Sequence, residues 1–214
     1  MKKKIATWLL GLSGWKVTLP VPKEAERCVM LSAPHTSNWD LWYGRLAFFV
    51  MEIPVRFAIK REWMQFPFGM LIRPLGGIAI DRRPKTEGGE RPSQVEAMSA
   101  LYGANDRLAI MVPPEGTRRA NPKWKTGFYY VALAAKVPIC LGYLDYANKR
   151  AGVGKVLVPS GNLEADLQII GNFYRDIRGK HPERFALDPR CLGEPSAPPA
   201  PSLTQGLDQA KTAP

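Results

Sequence analysis

Short apolar runs alternate with longer segments of helical character along most of this chain, and that alternation restricts what it can fold into. The runs at 27–33, 55–59, 77–80, 107–112 and 137–143 are brief and rich in Val, Ile, Leu and Met, the pattern of buried strands. Residues 154–158 offer a sixth. Between them, 38–51, 92–102, 126–135 and 162–178 are long enough for helices, and 61–72 reads as helical or irregular. The last helix places Leu163, Leu167, Ile170, Phe173, Tyr174 and Ile177 near a 3.6-residue period. Strands alternating with helices predict an α/β fold, with helices packed on a mixed, mostly parallel central sheet. Prolines confine 17–22 to an extended path. No internal repeat is evident.

In such sheets the loops at the carboxyl ends of strands build the functional site. The first predicted strand runs directly into His35-Thr-Ser-Asn-Trp-Asp40. Five positions is an awkward interval within a helix, because at 3.6 residues per turn the two side chains diverge. The interval works if His35 lies in the loop and Asp40 in the first turn of the next helix, with Thr36, Ser37 or Asn38 as its cap. Asp40 then reaches back to one imidazole nitrogen and leaves the other free to take a proton, the arrangement of a general base. By itself the pattern is also that of a capping loop with an incidental histidine.

A second constellation, Val112-Pro-Pro-Glu-Gly-Thr-Arg118, follows the fourth strand. Gly116 permits close backbone approach, Arg118 offers a planar fork of donors suited to phosphate, and Glu115 can orient an arginine or a substrate hydroxyl. A third, Gly77-Ile-Ala-Ile-Asp81-Arg82, puts another cation at the same sheet edge. Taken singly, each is equally a turn or strand end with a surface ion pair.

Composition narrows the partners. The 214 residues carry a net charge of +11, which calls for an anionic partner: nucleic acid, an acidic membrane surface or a phosphorylated substrate. A nucleic-acid reading draws on Trp124 and Tyr129 beside Lys123 and Lys125 as exposed stacking groups, but no nucleic-acid module is recognisable. The chain has 2 histidines and 3 scattered cysteines, Cys28, Cys140 and Cys191, so no zinc cluster and no metal site is expected. His181, beside a proline in a charged turn, reads as solvated surface.

The amino terminus is basic, then apolar, and its apolar stretch falls short of the ~20 residues that span a bilayer. Lys2, Lys3 and Lys4 with Trp8, Leu9, Leu12 and Trp15 suit a helix lying in a membrane interface; a helix packed on the domain is the alternative. Three parts are expected: an interfacial helix at 1–15, a catalytic domain at 16–194, and a proline-rich disordered tail at 195–214.

Taken in order, these stretches resemble the glycerophospholipid acyltransferase family, of the 1-acyl-sn-glycerol-3-phosphate acyltransferase type. His35 and Asp40 match its H-x4-D motif, Gly77 to Arg82 its second motif, and Pro114-Glu-Gly-Thr-Arg118 its F-P-E-G-T-R motif, with Pro113 where phenylalanine is usual. Val137-Pro-Ile139 matches its fourth motif. Lys60, the segment Pro67-Phe-Gly69 and Lys125-Thr-Gly127 resemble further family segments. The resemblance covers roughly Cys28 to Tyr143.

It implies a glycerol-3-phosphate acyltransferase-like fold and transfer of a fatty acyl group from acyl-CoA or acyl-ACP to a lysophospholipid hydroxyl. His35 would be the base and Asp40 its partner. Lys60, Arg82, Glu115, Gly116, Thr117 and Arg118 would hold the acceptor. No cofactor is implied beyond the thioester substrate. The enzyme would work peripherally at the cytoplasmic face of an anionic membrane. The first-choice acceptor is lysophosphatidic acid-like; a lysophospholipid with a larger head group, or an amino-acid-containing lysolipid, is the alternative.

Overall fold

A computed structural model of the chain describes residues 1–60, 65, 70, 76–80 and 93–193. Among the described residues seven strands form one sheet: β1 (Lys16–Val17), β2 (Arg27–Ser32), β3 (Val55–Lys60), β4 (Gly77–Ile80), β5 (Leu108–Val112), β6 (Ile139–Asp145) and β7 (Arg150–Leu157). Their spatial order is β1-β7-β6-β2-β5-β3-β4. Every pairing is parallel except β6 with β7. The α/β expectation, with a mixed and mostly parallel sheet, holds. The sixth expected strand begins earlier than 154, at Arg150, because it forms a hairpin with β6, and the extended amino-terminal segment adds β1 along its outer edge.

Strand side chains alternate between faces, and two cores result. Val29 and Leu31 of β2, Ile110 of β5 and Ile139 and Leu141 of β6 enter one core. Cys28, Met30, Ala109 and Cys140 enter the other. A bulge near Gly142 in the β6–β7 ladder shifts the register by one residue. Ala151 and Val153 therefore face the second core while Leu157 faces the first.

Helices α3 (Gln94–Gly103), α4 (Gly127–Ala135) and α5 (Leu163–Tyr174) cover the first core, and α1 (Lys2–Leu12) and α2 (Trp39–Met51) the second. Helix α3 starts with a reciprocal capping box between Ser93 and Glu96. Helix α5 ends at Tyr174, short of the expected 178. The chain beyond it turns back, and Arg178 gives its carbonyl to the Tyr146 N–H.

Helix α1 packs on the domain along one side and leaves apolar side chains exposed on the other. Ala6 and Leu10 are buried in the second core, whereas Ile5, Trp8 and Leu12 are exposed, Trp8 at 63%. Among the described residues no helix is long and apolar enough to cross a membrane. All three cysteines are buried free thiols. The segment 61–72, except residues 65 and 70, and the tail 195–214 lie outside the described residues.

Candidate active site

Strands β2 and β5 are neighbours at the centre of the sheet, with Leu31 level with Val112. His35 lies three residues beyond the end of β2 and Glu115 three beyond the end of β5, so two chemically loaded loops leave the sheet side by side. The connections then diverge: α2 crosses one face toward β3, and α4 crosses the other toward β6. Such a divergence opens a crevice at the carboxyl edge of a parallel sheet.

Asp40 occupies the first turn of α2, as its spacing from His35 requires. Its Oδ2 lies 3.2 Å from His35 Nδ1 and accepts the Thr36 and Ser37 N–H groups, each at 2.9 Å. Its Oδ1 accepts the Tyr146 hydroxyl at 2.8 Å. Burial pushes this carboxyl upward, but the hydrogen bonds from His35, Ser37 and Tyr146 outweigh it and hold Asp40 below the usual carboxylate range. Of the three expected caps, Ser37 alone acts, accepting the Trp39 N–H on its hydroxyl at 3.2 Å. Asn38 takes the cap position without a side-chain bond.

Glu115 is almost fully enclosed, and both carboxyl oxygens take the single His35 N–H, at 3.0 and 3.1 Å. Burial, only partly offset by that donor, together with the nearby Asp40 charge, pushes its pKa up to about 7. Its position is thus behind the histidine loop, gripping the backbone, rather than out in the crevice where an arginine or a substrate hydroxyl would meet it. The N–H groups of His35, Thr36 and Ser37 are all engaged by these two carboxylates. They are not free as donors to an oxyanion.

Gly116 has φ +67, a left-handed backbone that favours glycine, and a Cβ there would lie 2.8 Å from Cε of the flexible Lys125 side chain. The Thr117 hydroxyl accepts the Arg119 N–H at 3.3 Å and so shapes its own turn. A cavity of about 520 Å³ opens beside these loops, within the size range of ligand pockets. His35, Arg118 and Lys125 supply polar groups to its wall. Phe48 and Met51 of α2 line one side, and Met98 of α3 and Val131 of α4 another. Among the described residues no cluster of His, Cys, Asp or Glu is arranged to hold a metal.

Lys60 ends β3, the strand beside β5, at the same sheet edge. Arg82 lies outside the described residues. Trp124 and Tyr129, expected as exposed stacking groups, are core residues, Trp124 at 2% exposure. The Trp124 N–H goes to Asp188 and its indole N–H to the Ala186 carbonyl, while the Tyr129 hydroxyl donates to Asp166. His181 sits at the surface as expected, though a carboxylate does flank it: Glu183 Oε1 is 3.6 Å from its Nδ1. Its backbone N–H binds the Thr36 hydroxyl, so the segment after α5 braces the His35 loop. Sequence reasoning missed Tyr146 altogether. No interval links it to Asp40, 106 positions away.

Comparison with known proteins agrees with the fold. The acyltransferase family model matches residues 16–140. Among solved structures, the chain is similar to the 1-acyl-sn-glycerophosphate (LPA) acyltransferase PlsC from Thermotoga maritima. That match has a TM-score of 0.51 and 17% identity and covers 81% of this chain and 75% of that one. No curated protein matches.

Proposed function

The chain belongs to the acyltransferase family, and on that premise we propose that it moves a fatty acyl group from acyl-CoA or acyl-ACP to the hydroxyl of a lysophosphatidic acid-like acceptor. The observation that carries the reading is the His35 Nδ1 to Asp40 Oδ2 contact at the edge of the cavity. An acceptor hydroxyl becomes a competent nucleophile only as a base removes its proton. With Nδ1 turned to Asp40, Nε2 is the nitrogen that takes that proton. The imidazolium so formed is stabilised by an Asp40 kept ionised by its donors. The hydroxyl oxygen bonds to the thioester carbon, the C–S bond breaks, and His35 returns the proton to the leaving thiolate.

The apolar walls from α2, α3 and α4 suit an acyl chain. Arg118 and Lys125 make a cationic cradle for the acceptor phosphate, to which the family resemblance adds Lys60 and Arg82. Glu115, Gly116 and Thr117 serve this cradle by fixing the loops. The exposed Ile5, Trp8 and Leu12 of α1, with Trp39 and Trp42 at the start of α2, would rest on an anionic membrane, the lysines of α1 adding attraction.

The test is turnover. Purified protein is given labelled acyl-CoA or acyl-ACP and a panel of lysolipids, including lysophosphatidic acid, larger lysophospholipids and amino-acid-containing lysolipids. A diacyl product from lysophosphatidic acid, lost in His35→Ala, is expected. Transfer only to an acceptor without a phosphomonoester overturns the head-group assignment. No transfer to any of them overturns the reading as a whole.

A further inference from the structure

We infer that Tyr146 is a positioning residue for the His35–Asp40 pair: its hydroxyl holds the Asp40 carboxylate in the rotation that turns one oxygen to the imidazole. The inference rests on the proposed base role of His35. A carboxylate has about four lone-pair sites. Oδ2 of Asp40 meets three donors, Thr36 N, Ser37 N and His35 Nδ1. Oδ1 meets Tyr146 Oη, at 2.8 Å. The terminal torsion of an aspartate is soft, so the side chain is held by its partners rather than by its own rotamer. Without Tyr146, Oδ1 of a carboxylate that is 6% exposed keeps its desolvation cost and loses its donor. Rotation that carries Oδ2 away from the imidazole then becomes cheaper.

The tyrosine itself is preset. Its ring meets Trp15 edge-on at 4.9 Å and Tyr43 edge-on at 6.0 Å. Its N–H donates to the Arg178 carbonyl at 2.9 Å. Three separate parts of the chain thus aim one hydroxyl at Asp40. Burial and the Asp40 charge push the phenol well above its ordinary pKa, so it stays protonated and donates.

The test compares Tyr146→Phe, which keeps the ring and removes the hydroxyl, with Tyr43→Phe, which removes the hydroxyl of a neighbouring ring that makes no hydrogen bond to Asp40 among the described residues. For Tyr146→Phe, kcat is expected to fall about tenfold, the size of one hydrogen bond to a charged group, with both KM values within about twofold. Losing a donor to the charged form raises the Asp40 pKa. The acid limb of the pH–rate profile, where the His35–Asp40 pair takes up a proton, should therefore move to higher pH, because an Asp40 with one donor fewer stabilises the imidazolium more. Carbon-13 NMR of the Asp40 carboxyl should show the same rise without turnover. Incorporating 3-fluorotyrosine in place of Tyr146, a stronger donor of the same shape, should move both in the opposite direction.

Tyr43→Phe should leave both where they are. An unmoved Asp40 titration in Tyr146→Phe and in the fluorotyrosine protein would overturn the inference, as would an equal shift from Tyr43→Phe. Full activity in His35→Ala would instead overturn the base reading, and the NMR titration would still report on Tyr146.

Discussion

Asp40 and Glu115 are carboxylates withdrawn from water beside the same histidine loop, one 6% and the other 2% exposed, and their pKa values are pushed in opposite directions. The difference lies in donors. Asp40 has two backbone N–H groups, an imidazole and a phenol around it. Glu115 shares one N–H between two oxygens and feels the charge of Asp40. Burial alone penalises a charge; burial among convergent donors creates a stable one. One carboxylate is thereby fitted to remain charged beside a base. The other is an adaptable brace that tolerates a proton.

The comparison breaks most sharply at His35. His35→Ala should lower acyl transfer roughly a hundred- to ten-thousand-fold while thermal unfolding stays near that of the wild type. Asp40→Asn, which keeps the shape and removes the charge, should approach the same loss in kcat with both KM values little changed. If Asp40→Asn instead behaves like Glu115→Gln, with modest loss, the contrast between the two carboxylates is wrong.

Arg118→Ala should act on the acceptor alone, raising its KM by about ten- to a hundredfold, the size of a charge-assisted contact of roughly 1.5–3 kcal/mol. The measurement is steady-state kinetics with acceptor and thioester varied separately. A KM rise confined to the thioester would move Arg118 out of the phosphate cradle.

Stability against pH sharpens the contrast further. Glu115 has a folded pKa of about 7 against 4.5 unfolded, so between those values the folded state holds the extra proton. Its contribution is fully present below the unfolded value and is lost as pH rises toward 7, on the order of 3 kcal/mol. Asp40 works in the other sense: its contribution is present above the unfolded value, 3.8, and is lost as pH falls through its lower folded value. Glu115→Gln should therefore gain Tm relative to wild type as pH rises from about 4.5 to 7. A Tm difference that is flat across that window would show that Glu115 is not held protonated.

Helix α1 offers the smallest test in activity. Leu10→Ala, in the core, should destabilise by about 2–5 kcal/mol. Trp8→Ala with Leu12→Gln, both on the exposed side, should leave Tm nearly unchanged and weaken sedimentation with anionic vesicles at low salt. Equal vesicle binding by the double variant and wild type would assign α1 a packing role only.

Much of the fold was legible because apolar periodicity is a local property. The strands at 27–33, 55–59, 77–80 and 107–112 fall within a residue or so of where alternation and length put them. The extra reach of β7 was not legible, since its pairing with β6 depends on a hairpin and a bulge rather than on its own residues. The aromatic pair Trp124 and Tyr129 misled for a related reason. Flanking lysines mark a segment as charged, but whether an indole faces water depends on what packs over it, here Ala186 and Asp188 from more than sixty positions away.

The sequence by itself determined the chemistry on offer: a histidine and a carboxylate at an interval that only a loop-to-helix junction satisfies, and a Glu-Gly-Thr-Arg turn after a buried strand. These are short-range facts, governed by backbone geometry and the hydrogen-bonding capacity of each side chain. Tertiary structure alone decided that β2 and β5 would be neighbours, which turned Glu115 from a candidate substrate contact into a clasp on the His35 backbone. It also decided that Tyr146 would complete the shell around Asp40. Desolvation and donor count are set by what surrounds a group in space, and residues 80 and 106 positions apart meet only when the sheet has formed.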